Sequence, residues 1–250
     1  MTAEHGSDVL TFDQVFDSVG VPEEFRTPEH FFWEHDDDGR AFPIPREISI
    51  EGEIWHLNQT GSVYAPNATI HPSAEVGPGT LIGPKAIVES SVKIGSQCDV
   101  GEGSRVLGEA ILMDKVTIGL NSTIGQYAVV ESQVTIEDYV IIDSSSAEQR
   151  PTRIGALSLL KKMAHVGRSV LIGPNNELGE NVKVNAGAST GAEVVMREGS
   201  SIGTSASIGY NSELLPNTSI AKRKRVRPGT IVYPRHFRHA RKDARPNAPH

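Results

Sequence analysis

From Tyr64 to Val232 an apolar residue recurs at every sixth position. The series includes Ile70, Val76, Ile82, Val88, Ile94, Val100, Val106, Leu112, Ile118, Ile124, Val130, Ile136 and Ile142. It resumes in the same phase at Ile154, Leu160, Val166, Ile172 and Leu178. Of 29 such positions only Glu148 and Thr190 are polar. Four residues after each comes a small or β-branched residue, such as Ala68, Thr80, Val92, Cys98, Ser104 and Val116; Asn176 and Lys224 depart from this rule. Gly often follows the apolar residue directly, as at Gly77, Gly101, Gly125, Gly167 and Gly203. The unit is aliphatic-Gly-x-x-small-x, numbered 1 to 6 below. A helix period of 3.6 or a strand alternation of 2 produces no such pattern, so the chain is a structural repeat. Six residues make one short strand and a corner. The aliphatic side chain fills the interior, the small one fits beside it, and Gly, Asn or Asp is expected near the corner to tolerate unusual backbone angles.

This unit is the hexapeptide repeat, and the chain resembles the left-handed parallel β-helix proteins. The resemblance implies an all-β solenoid in which three hexapeptides close a triangular coil. Residues 18 apart then stack at the strand spacing of ~4.8 Å. Residues 64–233 would form nine to ten coils. The phase survives through 143–171, where Ile154, Leu160 and Val166 each begin a good unit. The expectation is therefore an uninterrupted prism, with Glu148 displaced at one corner; an excursion of a multiple of six residues is the alternative. By the 18-residue rule Asp143 stacks under Lys161 and Glu131 under Gln149.

Residues 1–63 do not keep the period and are expected to cap the first coil. Thr11 and Gln14 suit a capping box opening a short helix that carries Phe12, Val15, Phe16 and Val19. A second helical turn is expected over Pro28–Trp33, and Ile48, Ile50 and Ile54 read as strand. A contact with substrate or with another subunit is the other reading of this segment. At the far end, residues 235–244 read as a basic helix after Pro234, within a terminal segment 234–250.

The net charge of −7 conceals an asymmetry: residues 1–63 carry fourteen acids against three bases, and 220–250 carry ten bases against one acid. These ends suit pairing with one another or an anionic ligand at the basic end. The single cysteine, Cys98, occupies the small interior position and is read as a structural thiol. The acidic N-terminus shows no apolar signal core and no apolar run approaches the ~20 residues of a membrane span, so a cytoplasmic protein is expected. Nucleic-acid binding is not expected, since the basic run is short and lacks interleaved aromatics.

Two histidines lie inside the repeat. His71, in the first coil, reads as a structural residue. His165 precedes Val166 among Lys161, Lys162, Arg150, Arg153 and Arg168. The string His165-Val166-Gly167-Arg168 is similar to the His-x-Ala-His element of the UDP-N-acetylglucosamine acyltransferases, with Arg168 where the second histidine would stand. The string from Lys161 to Gly167, followed by 179–188, also looks like the acetyltransferase half of bacterial N-acetylglucosamine-1-phosphate enzymes. In such acyltransferases an outward histidine is the general base that takes a proton from the acceptor as it attacks an acyl thioester. Carried over, the resemblance makes His165 the base, and Asn175, Asn185, Lys161 and Arg168 the substrate contacts. Lys222, Arg223 and Arg225 would then meet the phosphates of acetyl-CoA or another acyl-CoA co-substrate. Asn also suits tight corners, and Asn176, at the small position, is expected to point inward. The γ-class carbonic anhydrases share the fold and hold zinc with three histidines. Here only two histidines lie in the repeat, more than five coils apart, and no metal is expected.

The function implied is a homotrimeric acyltransferase moving an acyl group from coenzyme A or acyl carrier protein to an amino or hydroxyl group of a sugar or nucleotide sugar. The competing expectation is a non-catalytic β-helix scaffold or regulatory subunit.

Overall fold

The computed structural model describes residues 31–35, 41–45, 47–50, 53–57, 61–146 and 150–234. The helices expected over 11–19 and 235–244 lie outside them, as does Glu148. Among the described residues no helix is long and apolar enough to cross a membrane. The chain divides into two compact units, Met1–Gln59 and Thr60–His250.

The first unit contains two antiparallel strand pairs. Phe31–His35 pairs with Ala41–Pro45, so Phe31–Trp33 is strand and not the helical turn expected of it. Three aromatics in succession favour a pleated surface over a helix. Glu47–Ile50 pairs with Glu53–Leu57, as the isoleucine spacing predicts.

The second unit is a left-handed parallel β-helix with three faces. The first face runs from Val63–Tyr64 to Ile231–Val232. The second is a nine-stranded ladder from Thr69–Ile70 to Ser219–Ile220. The third, also nine-stranded, runs from Glu75–Val76 to Arg225–Val226. Each strand is two residues long and consists of positions 6 and 1. Alternation along a strand puts the two on opposite sides, so position 6 faces out and position 1 faces the interior. Ile82, Ile118, Ile124, Ile136, Ile142, Ile154, Leu160 and Leu178 are accordingly fully buried. Each such side chain contributes about 1.5–3 kcal/mol relative to exposure.

The glycines serve a different purpose from the one expected. Left-handed backbone occurs at position 4, and most residues there are not glycine: Lys85, Gln97, Tyr139, Leu157, Met163 and Asn175 have φ of 56°, 56°, 58°, 61°, 58° and 57°. Their N–H groups are held by the preceding coil, as Gln97 N–H is by Pro78 O at 2.9 Å and Asn175 N–H by Ala156 O at 2.8 Å. The glycines at position 2 are needed because the next coil passes too close: a Cβ at Gly101 would meet the carbonyl carbon of Gly119 at 2.7 Å.

Position 5 hydroxyls stitch coils together. Ser122 donates to Glu137 O (2.9 Å) and accepts from Val140 N–H (3.0 Å). Cys98 follows the same geometry, its thiol donating to Met113 O at 3.1 Å. Burial, above all, pushes that thiol's pKa up, which leaves it a structural group. Two of the four exceptions to the repeat explain one another. Asn176, buried at position 5 as expected, donates to Thr190 Oγ1 (2.6 Å) and Gly191 O (3.0 Å). Its Oδ1 accepts from Val194 N–H at 2.6 Å. Thr190 is the polar residue where an aliphatic one belongs, and Asn176 gives it a partner.

The uninterrupted prism expected across 143–153 is not what forms. Val129–Val130 pairs with Arg153–Ile154, and Ile141–Ile142 with His165–Val166, a spacing of 24 residues where 18 holds elsewhere. Ten residues, 143–152, connect two strands that four connect in other units, so the excursion of one hexad is correct. Its phase is preserved because the extra length equals one repeat. The foot is clasped by buried side chains: Ser145 and Thr152 hydroxyls lie 3.3 Å apart, Thr152 donates to Gly167 O (3.2 Å), and Ser169 N–H donates to Ser145 (3.3 Å). Thr152 occupies the small position, its carbonyl accepting from Val129 N–H at 2.8 Å.

Two outcomes are expected. Asn176→Ala should cost about 2–3 kcal/mol in denaturant unfolding, since it strands buried polar groups, and a double cycle with Thr190→Val should show coupling of about 1 kcal/mol or more. Deletion of residues 146–151 joins Ser145 to Thr152 as an ordinary corner; circular dichroism should show the same β signal, and a collapse of that signal would make the hexad integral to the prism.

Candidate functional site

His165 occupies position 6 on the second face and so projects outward, its N–H tied to Val182 O at 2.8 Å. Asp143 is the first residue of the corner below, its N–H tied to Val166 O at 2.8 Å. Because one hexad leaves the prism, Asp143 stacks beside Gly167 and not under Lys161, which corrects the 18-residue assignment. His165 Nε2 and Asp143 Oδ1 are 2.9 Å apart, with side chains 37% and 44% exposed. An ionised carboxylate can only accept, so this contact selects the neutral tautomer with the proton on Nε2 and the lone pair on Nδ1.

The pair opens onto a groove of about 510 Å³ along the corner between the second and third faces. Ser144, Gly167, Arg168, Lys183, Asn185 and Thr204 also line it. Gly167 is the gap between Asp143 and Asn185: a Cβ there would meet Ala186 N at 2.8 Å and intrude on the floor. Asn185 is fixed by its Nδ2, which donates to Ile202 O at 2.8 Å. Lys183 stands directly over His165 in the strand register.

Of the residues the sequence pointed to, His165, Arg168 and Asn185 come together here. Lys161 does not: it lies on the corner between the first and second faces, 2.6 Å from Glu177. That carboxylate's hydrogen bond holds the Lys161 ammonium above the ordinary lysine range. Asn175 sits at a left-handed corner between the third and first faces, which accounts for its presence there. Glu131 meets Arg153 (3.3 Å) and accepts Ala156 N–H (3.0 Å), and Lys162 meets Asp138 (3.2 Å). Gln149, expected over Glu131, is outside the described residues.

The basic run follows the groove's own edge. Lys222 is the next rung above Thr204, and Arg223 N–H donates to Thr204 O at 3.0 Å. Arg225 pairs with Ser207 on the third face. All three are exposed, and Lys224 breaks the small-residue rule by being exposed in a regular coil rather than by distorting it. Three coils separate Arg168 from Lys222, about 14 Å. Sequence reasoning missed Lys183 although it lies 18 residues past His165, the register in which it was legible. Asp143 was noticed but given the wrong neighbour.

A family profile described as the GMPPB C-terminal domain matches residues 64–148. No curated protein matches the chain in sequence. Among solved structures, the chain is similar to a UDP-N-acetylglucosamine acyltransferase from Campylobacter jejuni, with 21% identity, TM-score 0.63, and coverage of 68% of this chain and 71% of that one. It is similar to the UDP-N-acetylglucosamine acyltransferase LpxA of Bacteroides fragilis at 19% identity, TM-score 0.66, covering 73% and 78%. For LpxA from Acinetobacter baumannii the values are 19%, 0.62, 74% and 78%. At these identities the likeness establishes the left-handed β-helix fold.

Asp143→Asn should release the imidazole from one tautomer. The nitrogen-15 resonances of His165 would move toward a mixture of the two ring forms, with the remaining amide spectrum unchanged.

Proposed function

We propose that the groove is an acyl-transfer site, and the observation that carries this reading is the 2.9 Å pair of His165 and Asp143 at its wall. Asp143 orients the ring and compensates the imidazolium that forms when His165 takes a proton. Nδ1 accepts that proton from an amino or hydroxyl group of the acceptor as its nitrogen or oxygen attacks the carbonyl carbon of an acyl thioester. The tetrahedral intermediate collapses with cleavage of the C–S bond, and the departing thiolate takes up the proton that His165 holds, which regenerates the base.

The donor in this reading is acetyl-CoA or another acyl-CoA, with acyl carrier protein as the other carrier of the same thioester. Its phosphates sit at Lys222, Arg223 and Arg225, with Lys222 about 14 Å along the edge from Arg168, a separation supplied by three coils. The acceptor is a sugar or nucleotide sugar held by Arg168 and Asn185. Support for this comes from the groove's polar lining, from its position on a corner open to solvent, and from a fold shared with sugar-nucleotide acyltransferases.

The assembly in this proposal is a homotrimer. Leu120, Tyr139 and Met163, on the corner between the first and second faces, are exposed at 45%, 55% and 53%, and Ile141, the strand neighbour of His165, at 47%. Such an apolar strip suits cover by a second copy.

The test is thiol release from acetyl-CoA across a panel of amino sugars. His165→Ala should lower kcat by about 10²–10⁴-fold while acyl-CoA binding persists. Replacing Lys222 and Arg223 by Ser should raise KM for acyl-CoA and flatten its salt dependence. Retention of full rate by His165→Ala would reject the assignment.

A further inference from the structure

The cations around His165 fall into two groups. Three that lie outside the groove are paired, Lys161 with Glu177, Lys162 with Asp138 and Arg153 with Glu131, while Arg150 is exposed in the connection 143–152. Arg168 and Lys183, the two that line the groove, have no carboxylate within salt-bridge distance among the described residues. The groove's one carboxylate, Asp143, is engaged by His165. Among the described residues of a chain with net charge −7, a positive pair therefore stands without a carboxylate partner at this place, within one coil of the imidazole.

Resting on the acyl-transfer reading above, we infer that Arg168 and Lys183 form an oxyanion-binding subsite, and that the acceptor carries a phosphate or carboxylate close to the group that is acylated. The anion is not the donor's. In the same reading the donor's phosphates lie three coils away at Lys222 and Arg223, too far to occupy the position beside the reacting carbon. Two basic loci on one edge thus serve two substrates. The guanidinium supplies a planar fork that grips two oxygens, and the ammonium over His165 supplies a point charge. Gly167 keeps the floor between them open. Arg168, standing where the resembling element has a histidine, is a specificity residue in this arrangement.

The experiment uses the full-length protein and two readouts. First, inorganic phosphate is titrated at low salt while the ring resonances of His165 are followed by NMR. Saturable shifts are expected, weakened about tenfold or more in Arg168→Gln and in Lys183→Met, and unchanged in Lys115→Gln on a different corner. Second, thiol release is compared for a neutral amino sugar, the same sugar bearing a phosphate beside the amine, and an amino uronate. The phosphate or carboxylate form should have the higher kcat/KM, and that preference should fall about tenfold or more in either variant; the preferred anion identifies its source. Equal use of charged and neutral acceptors overturns the subsite while leaving acyl transfer intact. No thiol release, with phosphate still bound in an Arg168- and Lys183-dependent way, sinks the acyl-transfer reading and keeps the anion site. Phosphate shifts that are absent, or that persist undiminished in both variants, overturn the proposal.

Discussion

Every feature of the repeat domain depends on the hydrogen bond that joins one coil to the next. His165 N–H to Val182 O at 2.8 Å is one example, and its equivalents recur along all three faces. These bonds hold adjacent backbones at ~4.8 Å. That separation decides which residues are tolerated: glycine at position 2, where the next coil passes within contact of any Cβ, and a small or hydroxyl-bearing residue at position 5. It also stabilises the left-handed turn at position 4, where Leu157 and Met163 would otherwise be strained. Satisfied backbone bonds compensate for conformations that these side chains avoid elsewhere.

The same constraint places chemistry on the outside. A two-residue strand has one inward and one outward side chain, so the surface is a grid of positions 6, 2, 3 and 4 stacked in columns. Asp143, Gly167 and Asn185 share one column, and Ile141, His165 and Lys183 another. The groove lies where Gly167 stands between Asp143 and Asn185 in one such column. Neighbouring coils fix the backbone of both His165 and Asp143, through Val182 O and Val166 O, and so set the geometry of the pair.

Departures from the repeat sort into two kinds. Thr190 and Asn176 are internal and compensate each other through a 2.6 Å hydrogen bond. The connection 143–152 is six residues longer than the others, its described ends are joined by Ser145 and Thr152, and the added length falls at the very corner that carries the groove. The hydroxyl clasp allows the chain to leave and return without exposing the interior, so the core remains continuous from Ile142 to Ile154.

The sequence alone determined the β-helix, its inward residues, the inward Asn176 and the outward His165, because a period of six has one physical solution over so many repeats. It also contained the Lys183–His165 stacking, 18 residues apart. It did not contain the partner of Asp143. An inserted segment equal to one repeat leaves the phase of the hydrophobic pattern untouched, so a looped-out hexad and one in the prism read alike. Only the three-dimensional pairing of Val130 with Ile154 and Ile142 with Val166 distinguished them, and with that step Asp143 moved from Lys161 to His165. Which cations remained unpaired was likewise a tertiary matter, since it depended on carboxylates such as Glu177 arriving from neighbouring coils.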